Sequence, residues 1–261
     1  MHIILGATGH IGSALAQILL DRHQPVTMVL HRPDHAAHWQ RKGARIAVAD
    51  VHDTQALRAI FQQGQCLFLL NPPAAPATDT AAEERKSLAS ILAALADSGL
   101  DKIVAESTYG AQPSDQVGDL GVLYEMEQAL AAQSIPASII RAAYYLSNWD
   151  AALATAQQEG KIMSLFPADF KLPMVAPPDI AQLAARLLTE PIDHTGLHYI
   201  EGPEPYSAGD VAAAFAGALH RPMVVEAVSR AQWPAALQKL GFSQPAAESL
   251  AAVTGMTLDE R

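Results

Sequence analysis

Glycines at positions 6, 9 and 12, in the run Gly6-Ala7-Thr8-Gly9-His10-Ile11-Gly12, fall between a short apolar segment and a strongly periodic one. Glycine at such a junction lets the chain turn tightly, lets the backbone approach a ligand closely, and lets a helix pack down on a strand. The helix that follows presents free N–H groups and the positive end of its dipole, a setting suited to a diphosphate. The turn is therefore read as a phosphate cradle built from Gly6, Thr8, Gly9, His10, Ile11 and Gly12. A ligand-free tight turn would use the same residues; the strand before and the periodic helix after are what favour the cradle.

Further candidates follow at the ends of later apolar runs. The second run ends in Leu30-His31-Arg32-Pro33. Dinucleotide sites that take NAD place an acidic side chain about 20 residues beyond the glycines to accept from the ribose 2′-OH. No carboxylate stands there, and a guanidinium can grip a 2′-phosphate in a fork, so Arg32 predicts NADP, with NADPH preferred over NADH. Asp50, closing the third run, is placed to reach the adenine edge, whereas Asp53 reads as the cap of a helix starting at Thr54. Asn71 and Pro72 follow the fourth run, where the middle of the cofactor would cross the sheet edge.

The fifth run ends in Ser107-Thr108-Tyr109, and Ser107 and Tyr109 are the candidate catalytic hydroxyls, able to bond a substrate oxygen. Tyr144, Tyr145 and Asn148, after the sixth run, are candidates for binding the substrate, since flat rings and an amide suit a planar ligand. Simple strand-end hydrogen bonding and half-buried packing are the competing readings for each. Two histidine pairs stand four residues apart, His31/His35 and His194/His198, but the first lies with His38 in a loop and helix start and the second runs into an expected strand, so neither presents two imidazoles on one helix face and no metal is expected.

These residues need a scaffold, and the alternation of short apolar runs with helical patterns from residue 1 to about 141 is how a parallel sheet of βαβ units is written. Strands are expected at 2–5, 26–30, 44–48, 66–70, 102–106 and 137–140. Ile11, Ala14, Leu15, Ile18 and Leu19 repeat at helical spacing, as do Leu57, Ile60 and Phe61, and Leu88, Ile91, Leu92 and Leu95. The predicted fold is α/β, a Rossmann-type doubly wound parallel sheet over residues 1–141. Beyond Arg141, proline density at 167, 173, 177 and 178 predicts a smaller, loop-rich substrate lobe over residues 142–261. Helices are expected there near 149–158 and at 179–189, 207–219 and 231–240, with strands at 197–200 and 223–228, the first of them able to return to the main sheet.

Composition narrows the partners. A net charge of −10 and only 17 Lys plus Arg, scattered along the chain, exclude a surface that neutralises many phosphates, so direct nucleic-acid binding is not expected. No run approaches the roughly 18 apolar residues of a membrane span, and the start of the chain lacks a basic, cleavable segment; a cytoplasmic location is expected. The single cysteine, Cys66, reads as a packed thiol at the start of a strand.

The segment Ser134-Ile135-Pro136-Ala137-Ser138-Ile139-Ile140-Arg141, followed by Tyr144-Tyr145 and Asn148, resembles the NmrA-like family of atypical short-chain dehydrogenases/reductases. The G-x-x-G-x-x-G spacing, Arg32, Asp50, Asp179-Ile180-Ala181 and Gly202-Pro203-Glu204 extend that resemblance over most of the chain. It implies NAD(P) binding, and the pattern is most similar to the NAD(P)H:quinone reductase-like members, whose acceptor is a small molecule; other members are redox-sensing regulators. The chain departs from the wider superfamily in one respect: none of its six tyrosines has lysine four residues on, Tyr124 being followed by Gln128, and the helix position that often carries Lys or His falls on Leu123. Carbonyl–alcohol interconversion through a Tyr–Lys pair is disfavoured, whereas hydride transfer to an electron-poor ring demands less of the protein. The expected function is NADPH-dependent reduction of a quinone-like or other conjugated acceptor; the alternative is a non-catalytic NAD(P) sensor acting through a protein partner. A homodimer is compatible with either.

Overall fold

The computed structural model describes residues 1–114 and 117–259. Strand β1 (His2–Ile4) leads through the glycine turn into α1 (His10–Asp21), followed by β2 (Val26–Leu30), α2 (Ala36–Arg41), β3 (Arg45–Val48), α3 (Thr54–Phe61), β4 (Cys66–Leu69) and α4 (Thr80–Leu95). Then come β5 (Lys102–Thr108), α5 (Asp119–Ala132) and β6 (Ala137–Ala142). The remaining elements are β7 (Tyr144–Tyr145), α6 (Leu153–Glu159), β8 (Lys161–Ser164), β9 (Leu172–Val175), α7 (Pro177–Thr189), β10 (Gly196–Ile200), β11 (Pro205–Tyr206), α8 (Ala208–Leu219), β12 (Val224–Ala227), α9 (Trp233–Lys239) and α10 (Gln244–Asp259).

Seven strands form one parallel sheet in the order β10-β6-β5-β4-β1-β2-β3. Because side chains alternate across a strand, neighbours such as Ile3 and Ile4 enter opposite cores. One face gathers Ile4, Phe68 and Val104 with Leu15 and Leu19 of α1 and Ile180, Ala184 and Leu187 of α7. The other gathers Ile3, Leu67 and Ile103 with Phe61 of α3, Ile91 of α4 and Met126 of α5. Strands buried on both faces are near-continuous apolar runs, which is the pattern read from the sequence. The chain order reverses between β1 and β4, and a doubly wound sheet opens its crevice beyond the carboxyl ends of the strands at such a switch point.

Past β6 the sequence expectation is refined. β10 completes the large sheet by pairing with β6, from Gly196 opposite Ser138 to Ile200 opposite Ala142. Two small sheets, β11-β9-β7 and β12-β8, cover a third apolar cluster around Trp149, Ile162, Phe166 and Phe170. The helix expected near 149–158 is a 3-10 turn over Leu146–Ala152 running into α6, which Gly160 ends in a left-handed conformation. No helix among the described residues is long and apolar enough to cross a membrane.

Candidate functional site

The three glycines of the first turn answer to different constraints. Gly6 has φ +63°, and a Cβ there would lie 2.9 Å from Leu70. A Cβ on Gly12 would lie 2.3 Å from the Gly6 carbonyl oxygen, a backbone atom that cannot step aside. Gly9 is the N-cap of α1 in ordinary extended backbone, and a Cβ there would meet only the Gly6 oxygen at 3.4 Å. The fold therefore demands glycine at 6 and 12 but not at 9. What glycine at 9 preserves is open space before the first turn of α1, where no side chain caps the N–H groups and Thr8, Gly9 and His10 are exposed. Such a cradle fits a diphosphate.

The rest of the crevice follows the same sheet edge. Arg32, just past β2, is 76% exposed and its only ion-pair partner among the described residues is its near neighbour Asp34, at 3.3 Å. Asp50 is exposed and accepts from the His52 N–H through one carboxylate oxygen, while Asp53 caps α3 by accepting from the Ala56 N–H. Asn71 donates through Nδ2 to the Glu84 carbonyl at 3.1 Å, which fixes the amide's orientation, and its Oδ1 is buried without a hydrogen-bond partner among the described residues. Pro72, beside it, is half-buried. His10 lies 3.6 Å from Asp150, both side chains exposed, which brings the glycine turn near the 3-10 segment that carries Asn148.

A cavity of about 1350 Å³ is lined by Thr108 and Tyr109 from the end of β5, by Tyr144, Asn148 and Trp149, and by residues of α9 and α10. Tyr109 and Tyr144 thus share one space with Asn148, whose amide bonds the Tyr144 hydroxyl. Tyr109 donates to Glu201 at 3.1 Å, and desolvation followed by that carboxylate pushes its phenol up to about 12. Burial likewise raises Tyr144. The buried indole N–H of Trp149 has no partner among the described residues.

The other two candidates point into the protein. Ser107 is fully buried and donates at 2.6 Å to Glu127 on α5. Glu127 in turn receives two bonds from Arg141 on β6, at 2.9 and 2.6 Å, and Arg141 continues to the Tyr199 hydroxyl at 3.4 Å. Tyr145 donates to Glu106 on the opposite face of β5. Glu106 is wholly buried, and desolvation lifts its carboxyl to about 8, against the opposing pull of the Tyr145 hydrogen bond. On α5, Leu123 packs into the core beside β5.

Several of these groups carry no sequence signal. Glu106 is a lone acid in an apolar strand, Glu127 follows another acid, Glu125, on its helix, and their partners lie 39 and 14 residues away. Trp149 and the α10 residues belong to no motif. Only Arg141, a cation in a buried strand, hints that an acid must face it.

A model of the NmrA-like family matches residues 2–257. An NAD(P)H azoreductase from Xenophilus azovorans is 21% identical over 250 residues, spanning 96% of this chain and 85% of the relative. Quinone oxidoreductase 2 of Escherichia coli is 23% identical over 253 residues, 96% of this chain and 86% of that protein. Among solved structures, triphenylmethane reductase from Citrobacter sp., complexed with NADP(H), superposes with a TM-score of 0.79 at 19% identity, covering 97% of this chain and 88% of that one. That likeness is one of fold.

Proposed function

Because the chain belongs to the NmrA-like family, we propose that it is an NAD(P)H-dependent oxidoreductase that uses NADPH to reduce a quinone-like conjugated acceptor. The observation that carries the reading is a glycine turn kept open at Gly9, in a chain that also holds a large cavity lined by Tyr109, Tyr144 and Asn148. The relatives named for azo-group and quinone reduction support the reaction class.

NADPH, when bound, supplies a hydride to an electron-poor ring, and one proton from water completes the two-electron reduction. The residues of the chain bind, orient and exclude. The N–H groups at the start of α1 hold the diphosphate. Arg32, whose contact with Asp34 is exposed, would hold the 2′-phosphate, a group that a guanidinium can meet bidentately. Asp50 keeps one carboxylate oxygen for the adenine amine. Asn71 Oδ1, an acceptor in need of a donor, suits a ribose hydroxyl, and Pro72 flanks it. On the acceptor side, Tyr109 keeps its proton throughout the neutral range, so it acts as a hydrogen-bonding group and not as a base. Tyr144 and Asn148 line the space for a flat ring. Ser107 and Tyr145 act at one remove, as positioning residues that fix the ends of β5 and β6 through Glu127 and Glu106.

Following NADPH absorbance with a panel of quinones tests this. Oxidation that depends on the acceptor supports the reading. Tight NADPH binding with no oxidation across the panel would replace it with a non-catalytic cofactor sensor.

A further inference from the structure

We propose that the acceptor is an uncharged planar molecule of more than one fused ring, selected by the wall that α9 and α10 contribute to the cavity. This rests on reading that cavity as the acceptor site. Its volume of about 1350 Å³ exceeds the 300–1,000 Å³ of an ordinary ligand pocket, so a single ring would leave most of it to water. The wall is apolar and unsatisfied: Leu240 is 59% and Leu250 36% exposed, and both face this space together with Val253. Large apolar side chains left this open invite an apolar partner that covers them. Among the described lining residues only Glu226 and Lys239 are charged, one of each sign, so the site asks for no net charge on its ligand.

The wall is also held in place, which is what allows it to measure size. Ser243, just before α10, donates its N–H to the Pro76 carbonyl at 2.8 Å and its hydroxyl to the Thr78 carbonyl at 2.6 Å. At the far end Arg230 makes two bonds of 2.9 Å to Asp259 and lies across Gly255, where a Cβ would come within 2.6 Å of the guanidinium. With both ends fastened, bulk added on the cavity side of α10 has to be taken from the cavity.

The test is calorimetric titration of the protein, saturated with NADP⁺ so that no hydride is available, with benzoquinone, naphthoquinone and anthraquinone in a fixed cosolvent. The wild type is expected to bind the three-ring quinone at least about tenfold more tightly than the one-ring compound. Val253→Trp, or Thr257→Trp at an exposed lining position, should weaken three-ring binding about tenfold and one-ring binding less than threefold, with NADP⁺ affinity retained. The absence of a ring-size trend in the wild type, or a trend unchanged in both variants, overturns the proposal even if the enzyme turns over. Conversely, a trend that the variants abolish, in a protein that oxidises NADPH with none of the series, leaves the size selection standing and removes the reductase reading.

Discussion

Gly9 and Gly12 stand three residues apart in one turn, and their contacts separate binding from folding. Gly9→Ala adds a methyl to open space and should leave the melting temperature within a degree or two while weakening NADPH at least about tenfold, roughly 1.4 kcal/mol, as titration would show. Gly12→Ala drives a methyl into the Gly6 carbonyl and should cost about 1–3 kcal/mol of stability in chemical denaturation, whatever the ligand. Arg32 makes a separate prediction. Its only ion pair among the described residues is exposed and local, so Arg32→Ala should be neutral for stability. It should weaken NADPH by about 1–3 kcal/mol and leave NADH nearly unchanged, and equal losses for both would show that Arg32 does not contact the 2′-phosphate. At this scale the sequence was highly legible where chemistry follows chain order. Gly6, Gly12 and Asp53 could be read from their neighbours alone, because a turn and a cap are local objects. Ser107 could not: its hydroxyl is directed by Glu127, twenty residues away on another element, and no spacing rule carries that information.

The elements divide in the same way. β1, β2 and β4 were visible because a strand buried on both faces is close to apolar throughout, and β3, β5 and β6 because a short apolar stretch survives between their polar residues. β7 and β11 are two residues each, and β9 holds Pro173 where a long strand would need an N–H, so none of them leaves a period to read. α10 escaped for another reason. Several of its larger apolar side chains, Leu250, Val253 and Met256, line a cavity instead of a core, and the residues it buries are the small Ala246, Ala247, Thr254 and Gly255, which write no apolar stripe. The junction of α5, β5 and β6 is the element-scale feature with the most at stake, since among the described residues Glu127 is the only ion-pair partner of a partly buried Arg141. Glu127→Ala leaves that guanidinium uncompensated and should cost about 3–5 kcal/mol in denaturant unfolding. Glu127→Gln keeps one acceptor and should cost less than half as much. A loss in Glu127→Ala below 1 kcal/mol would mean that solvent reaches the pair and that Ser107 is not held by it.

For the whole molecule, the buried acid Glu106 ties stability to pH. Its folded carboxyl titrates near 8, far above its ordinary 4.5, so the folded protein holds a proton that the unfolded chain releases. The stabilisation from that proton is present in full below about pH 4.5 and is lost as pH rises to about 8, at up to about 1.4 kcal/mol per unit. Glu106→Gln, which carries no titrating proton, should flatten the dependence of melting temperature on pH between 5 and 8 and be the more stable protein at pH 8. A wild-type profile that is already flat across that interval would show Glu106 to be ionised in the fold. The seven-stranded sheet has a consequence of its own. Its last strand, β10, joins β6 from more than fifty residues further along the chain. During synthesis from the N-terminus, six strands and their helices can assemble while the outer edge of β6 stays bare, with backbone donors and acceptors open to any passing strand. The nascent protein is thus most exposed to misassembly in the interval before residues 196–200 leave the ribosome, and a chaperone that shields this one edge would protect the whole fold.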